Sequence, residues 1–161
     1  MTESDDFREV MGEFATGVTV VTFPSDPPHG ITVNAFASLS MDPPLVLICL
    51  DHGTNAHRLL TNEDCKSYCV NILTKSQRHL GEYFAGMTDA STEPFVEEKI
   101  HTGMTAAPIF NESLAYIDCT LYNEFEAGDH TIYAGKVEQA EILQRDGEPL
   151  VFYEGQWGTV A

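Results

Sequence analysis

The sequence predicts a mainly β fold, an antiparallel barrel with a few short peripheral helices. Three observations carry this. Six or seven extended segments stand against three short helical ones. They do not alternate strand, helix, strand as a parallel sheet requires. Two long strand-like segments flank Gly128-Asp129-His130, a tight turn that marks a hairpin.

The elements follow in order. Phe7, Val10, Met11 and Phe14 recur at three and four, so an amphipathic helix opens the chain, with Ser4, Asp5 or Asp6 as cap and Gly17 as stop. Val18 to Phe23 is rich in β-branched residues and reads as the first strand. A Pro-rich loop leads to Gly30–Leu50. There Ile31-Thr32-Val33 and Ser38-Leu39-Ser40 are short extended pieces, and Asp42-Pro43-Pro44 forces a turn. The unbroken apolar run Leu45 to Leu50 suits a strand buried on both faces. A short helix puts Ala56, Leu59 and Leu60 inward, and Ser67 to Leu73 is a strand with a polar Asn71 inside it.

Thr74 and Gln77 have capping-box spacing, opening a helix that ends near Gly86. The stretch 86–107 lacks a period and reads as a lid or cover. Ala115, Ile117, Cys119, Leu121 and Phe125 alternate as one apolar face of a strand. Thr131 to about Ile142 completes the hairpin. Leu150 to Tyr153 is a short last strand, and Gln156-Trp157-Gly158 closes the chain.

The 161 residues are read as a single domain, 1–161, long enough to hold a core. The start carries neither a basic nor an apolar leader, and the longest apolar run is too short to span a bilayer, so a cytoplasmic protein is expected. Eight Lys and Arg against 25 Asp and Glu give a net charge of −17. That field repels nucleic acid and anionic membranes. It also makes the compact state depend on screening, which points to a salt-rich cytoplasm.

Covalent chemistry finds little support. GxSxG is absent, and Cys49, Cys65, Cys69 and Cys119 lack paired CxxC spacing. The histidines form no HExxH pattern, and Asp51, His52 and His57 read as solvated turn residues, so no metal is expected. Neither GxGxxG nor GxxxxGK[ST] is present; a nucleotide would bind to the barrel. Thr32, Asn34, Ser38 and Ser40, spaced at twos, offer small polar groups that a flat polar ligand can approach.

Taken together, Phe14 to Thr22, Gly30 to Phe36, Ser38-Leu39-Ser40, Asp42 to Leu45, Val70-Asn71 and Gly128-Asp129-His130 resemble the flavin reductase family. The likeness runs from about residue 7 to 157, with Trp157 where the family favours Tyr or Phe. It implies an FMN-binding split barrel, a homodimer, and hydride transfer from NADH or NADPH to FMN or FAD for a partner monooxygenase. The same fold also admits an FMN electron-transfer protein or a flavin-dependent ferric reductase. By the resemblance, Thr32, Val33, Asn34 and Ala35 border the isoalloxazine, and Ser38 and Ser40 lie near the ribityl and phosphate. Cys49, Leu50, Asp51 and Asn55 complete the pocket, and His130 serves the nicotinamide side as the catalytic residue. Cations are scarce near these motifs, so the phosphate is expected to rest mainly on hydroxyls and backbone N–H groups, with Arg58 or Arg78 as the candidate cations.

Overall fold

The structure, a computed structural model, describes residues 2–62, 65–88 and 93–161. Its centre is a seven-stranded antiparallel sheet built from β2 (Thr19–Phe23), β3 (His29–Val33), β4 (Phe36–Met41), β5 (Pro44–Asp51), β6 (Ser67–Ile72), β9 (Ala115–Ala127) and β10 (His130–Ile142). Their spatial order is β3-β2-β6-β9-β10-β5-β4. The edge strands β3 and β4 are consecutive in sequence, joined only by Asn34 and Ala35. A link that short requires the two edges to approach, so the sheet curls into a barrel with a seam at Asn34–Ala35. At the seam the Ala35 carbonyl accepts from the Cys49 N–H at 3.0 Å, and Asn34 from the Phe36 N–H at 2.9 Å.

All five residues of β2 are buried, as its β-branched run predicts. Val21 and Phe23 join Val33, Val46, Ile48, Leu50 and Tyr133 in the barrel core. Each such side chain contributes roughly 1.5–3 kcal/mol by leaving water. The run Leu45–Leu50 differs from its predicted two-sided burial. Val46, Ile48 and Leu50 enter the core, while Leu47 and Cys49 point to the other face and stay half-buried. Among the described residues that face is only partly covered, and Leu47 and Cys49 line a cleft there.

β9 also departs from simple alternation. Leu121 pairs with Gly135 and Asn123 with Ala134, so Tyr122 is bulged and the faces exchange beyond it. Phe125 therefore shares the face of Ile132 and is 52% exposed instead of facing the core. Gly135 answers a packing demand at the same bulge: a Cβ there would lie 2.8 Å from Tyr68 Cζ and 2.9 Å from Cys119 Cβ.

The first helix, α1 (Glu3–Gly12), has its cap two residues before the earliest expected one, Ser4. Thr2 caps it and forms the capping box with Asp5, and it stops at Gly12, leaving Gly17 in β1 (Thr16–Gly17). None of its residues is buried; Phe7 and Val10, and Phe14 just beyond its end, are each 65–69% exposed. α2 (Asn55–Thr61) and α3 (Arg78–Phe84) pack on the barrel as predicted, through Ala56 and Leu60 and through Leu80 and Gly81. β1 pairs with β11 (Val151–Tyr153), which pairs with β12 (Gln156–Gly158) through a Glu154–Gly155 turn.

The predicted cover 86–107 is not structureless. Residues 89–92 lie outside the described residues. The rest contains β7 (Ile100–Thr102), paired with β8 (Pro108–Phe110). Phe95 stacks on Phe110, and Thr105 donates through N–H and hydroxyl to the buried Asp118 carboxylate. These contacts fix its later part against the barrel, while Met87 at its start borders a hollow beside Asn34 of the seam. Asn71, the polar residue inside β6, is fully buried and joins this segment to β2.

Candidate functional site

Strand register decides which side chains share the seam. Ala37 pairs with Leu47, Cys49 with Ile132, and Asp51 with His130, so these residues stand on one outer face of the sheet. Ala35 joins them through its bond to Cys49. Opposite this face stand Arg8, Met11 and Phe14 from the α1 end, with Phe152 and Glu154 from the β11–β12 hairpin below. Together they enclose a cleft of about 600 Å³, within the ordinary range for a cofactor-sized ligand. A second, smaller hollow of about 160 Å³ continues from Asn34 and Phe152 to Thr32, Met87 and Trp157.

The cleft fits a flat heterocycle. Ala35, Ala37 and Gly155 keep its walls low, Leu47, Met11, Phe14 and Phe152 are apolar, and the exposed Asn34 supplies an amide at the seam. Thr16, on the same wall, holds a hydroxyl oxygen buried without a hydrogen-bond partner among the described residues. An apolar slot with a few polar groups at one end matches the isoalloxazine ring, which has a hydrocarbon edge and a polar edge. Another cavity, about 360 Å³ between α3 and residues 93–112, presents Glu82, Glu93 and Glu112 against the single cation Lys99, a poor setting for an anionic cofactor.

The predicted site residues divide by placement. Asn34, Ala35 and Cys49 line the cleft. Val33 and Leu50 are core residues at 5% and 1% exposure, so only their backbone faces the seam. The Thr32 hydroxyl donates to the Gly81 carbonyl at 2.6 Å, fixing α3 against β3 at the rim. A bulge between Ser38 and Ser40 separates the two hydroxyls. Ser38 pairs with Val46, whereas Ser40 pairs with Leu45 and alternates with Leu47 and Cys49 on the cleft side. Asn55 accepts from Arg58, and Arg78 pairs with Glu82 above the Trp157 ring. Both cations suggested for a phosphate are thus engaged within the chain.

His130 stands at the start of β10, half-buried, opposite Asp51. Two residues beyond the Cys49–Ile132 pair, it lies roughly 7 Å further along the same face. Its Nδ1 donates to Asp129 Oδ1 at 2.7 Å, which leaves Nε2 for a ligand. The imidazole, by that hydrogen bond first and by charge second, holds the Asp129 carboxyl below the usual carboxylate range. Asp51, Asp129 and His130 each place one ligand-capable atom within 4.8 Å of the others.

His52 and His57, read from sequence as solvated, brace this end. The His52 N–H donates to the Asp129 carbonyl at 3.0 Å, and its ring meets the Thr131 hydroxyl at 2.9 Å. The His57 ring lies 4.7 Å from that of His52 and accepts from the Tyr133 hydroxyl at 2.6 Å. Burial pushes the Tyr133 phenol up to about 12, so it stays a donor at neutral pH. Burial likewise raises the Cys49, Cys65, Cys69 and Cys119 thiols, and all four are free. None is a thiolate nucleophile at neutral pH.

Sequence reading missed Arg8, Met11, Phe152 and Glu154. α1 reads as an inward-packing helix and β11 as a closing strand, and no spacing rule brings the two ends of the chain to the seam. The signal was the amphipathic stripe itself, which has too few facing residues to be a core element.

Comparison with known proteins agrees with this geometry. Residues 11–161 match the model of the flavin reductase like domain family. The chain is 37% identical over 157 residues to an NADH-dependent flavin reductase of a Rhodococcus species, covering 95% of this chain and 84% of that one. It is 37% identical over 155 residues to HsaB of Mycobacterium tuberculosis, the reductase subunit of a flavin-dependent monooxygenase, covering 94% and 79%. Among solved structures, the NADH:FAD oxidoreductase SgcE6 of Streptomyces globisporus, in complex with NAD and FAD fragments, superposes with a TM-score of 0.88 at 34% identity, covering 99% and 93%. With the family model spanning nearly all of it, the chain belongs to the flavin reductase-like family.

Proposed function

We propose that this chain is an NAD(P)H:flavin oxidoreductase, using NADH as donor and FMN or FAD as acceptor, and that it supplies reduced flavin to a separate monooxygenase. One observation carries the reading. The curled sheet opens at Asn34–Ala35 onto an apolar cleft, and His130 stands on the same sheet face, roughly 7 Å beyond Cys49 of the cleft wall. The names of the relatives support NADH and the monooxygenase partner.

The nicotinamide supplies a hydride and the flavin ring accepts it; that reactivity belongs to the cofactors. The protein contributes position and electrostatics. Ala35, Ala37, Leu47 and Cys49 form one flat wall that excludes water from the ring face. The Asn34 amide, placed at the seam, meets the polar edge of the ring, where negative charge grows on reduction. His130 Nε2 orients the nicotinamide, with Nδ1 held by Asp129. Correct placement of two reactants supplies roughly 7–11 kcal/mol of a barrier in favourable cases.

The exposed stripe of α1 supports a homodimer, with a second copy covering Phe7, Val10 and Phe14. Sedimentation tests this: a monomer at micromolar concentration contradicts it. No helix among the described residues is long and apolar enough to cross a membrane. The negative surface supports a salt-rich cytoplasm as the working environment. For the activity itself, the test is anaerobic mixing of protein, NADH and each flavin. Bleaching of flavin absorbance is expected; tight flavin binding without NADH oxidation favours an electron-transfer protein instead.

A further inference from the structure

We propose that His52 is a positioning residue that holds His130 in place from the reverse face of the sheet, an inference that rests on His130 serving the nicotinamide side. His130 stands at the tip of the β9–β10 hairpin, where β9 adds little packing: from Tyr122 to the Asp129 turn every position is exposed. A hairpin tip with one bare strand opens readily unless other contacts fix it. Here β5 pairs with β10 as far as Asp51, opposite His130. His52 carries that ladder one step further by donating its N–H to the Asp129 carbonyl at 3.0 Å.

The His52 ring adds a side-chain tie behind the strand. Side chains alternate across β10, so His130 and Ile132 stand on the cleft side while Thr131 and Tyr133 face inward. His52, next after Asp51, shares the face of Thr131, and its Nε2 meets the Thr131 hydroxyl at 2.9 Å. Thr131 is 5% exposed and Tyr133 is fully buried. Beside them the His57 ring lies 4.7 Å from that of His52 and accepts from the Tyr133 hydroxyl at 2.6 Å. The Tyr133 carbonyl accepts from the Tyr68 hydroxyl at 3.1 Å, which carries the contacts into the barrel core.

The base of His52 is itself fixed. Its turn is closed by the Asp51 carboxylate, which accepts from the Gly53 N–H at 2.6 Å, and by the Asp51 carbonyl, which accepts from the Thr54 hydroxyl at 2.8 Å. Thr54 then caps α2, a helix anchored by the buried Ala56 and Leu60. His52 therefore joins an anchored turn to β10 one residue from His130, on the face away from the cleft. A shift of the His130 imidazole by about 1 Å is enough to slow a reaction that depends on orientation.

The test measures kcat/KM for NADH and flavin affinity with and without His130. His52→Ala should lower kcat/KM for NADH about fivefold, the worth of one neutral hydrogen bond, and leave flavin affinity within about twofold. Thr131→Val removes the same bond from the β10 side and should give the same loss, so the result can be read from either variant if the other fails to fold. His52→Gln, whose amide nitrogen reaches about as far as Nε2, should bring the rate back to within about twofold of wild type. In a His130→Ala background, His52→Ala should change the remaining rate by less than about twofold, because its effect passes through His130. Equal losses in both backgrounds mark a merely structural role and overturn the inference, as does an undiminished rate in both His52→Ala and Thr131→Val. If His130→Ala alone oxidises NADH at the wild-type rate, the reading of His130 fails and the inference falls with it, a result that the single variant tells apart from the others.

Discussion

Replacing Asn71 with leucine should be among the most damaging single changes in the barrel. Asn71 is fully buried, and its Nδ2 donates to the Val20 carbonyl at 3.1 Å and the Thr22 hydroxyl at 3.3 Å. Its Oδ1 accepts from the Phe110 N–H at 2.9 Å. It thus joins β6 to β2 and both to β8, which anchors the segment 93–110. Leucine has the same branched outline and number of side-chain heavy atoms but none of these bonds. The loss is about 1 kcal/mol for each Nδ2 bond, plus ~1–3 kcal/mol for the Phe110 donor stranded without water. Added apolar burial returns about 1 kcal/mol. The balance is a destabilisation of roughly 2–4 kcal/mol, or a Tm lower by about 5–15 °C for a domain of this size. Urea unfolding followed by tryptophan fluorescence reads it directly, with the m-value held constant. A loss below about 0.5 kcal/mol would show that water reaches these groups and that Asn71 is not the tie described.

Other consequences are equally direct. His130→Ala should lower the rate of NADH oxidation by about tenfold or more while flavin affinity stays within about twofold; equal loss of both points to a merely structural role. The Asp129 carboxyl is held low in the fold, so its small contribution is present above about pH 3.9 and is lost as pH falls through the lowered folded value. Its NMR titration midpoint should return toward the ordinary value in His130→Ala, and an unmoved midpoint contradicts the pairing. Potassium chloride should raise Tm as the Debye length shrinks to about 3 Å near 1 M; an indifferent Tm removes the salt-rich reading. Glu154 has φ 48°, the left-handed region, followed by Gly155 at 73°. Asn tolerates that conformation, so Glu154→Asn should stabilise the protein by about 1 kcal/mol, and a lower Tm would refute the turn assignment.

Much of the fold was legible because local chemistry and burial agree. The β-branched run of β2, the Thr74–Gln77 capping box and the Gly128 turn each occur where they were expected. Misreadings arose where one residue changes the count or where long-range closure decides burial. The bulge at Tyr122 turned Phe125 outward, and no periodicity marks a single bulged position. Leu45–Leu50 has the composition of a two-sided core strand, yet Leu47 and Cys49 face a cleft, because sequence does not say what covers a sheet. At the candidate site, strand spacing and the family likeness both single out Asn34, the likeness alone groups Ala35 and Cys49 with it, and all three line the cleft. Arg8 and Phe152 reach the same cleft from the two ends of the chain, a closure visible only in three dimensions.

The most direct measurement of the central claim is anaerobic stopped-flow reduction of FMN and FAD by NADH, for the wild-type protein and for Ala35→Trp. Ala35 is exposed at the seam, so an indole there fills the cleft without entering the core. The account predicts rapid flavin bleaching by the wild type and its near loss in the folded variant. No bleaching by the wild type with either flavin, or bleaching undiminished by the indole, would contradict it.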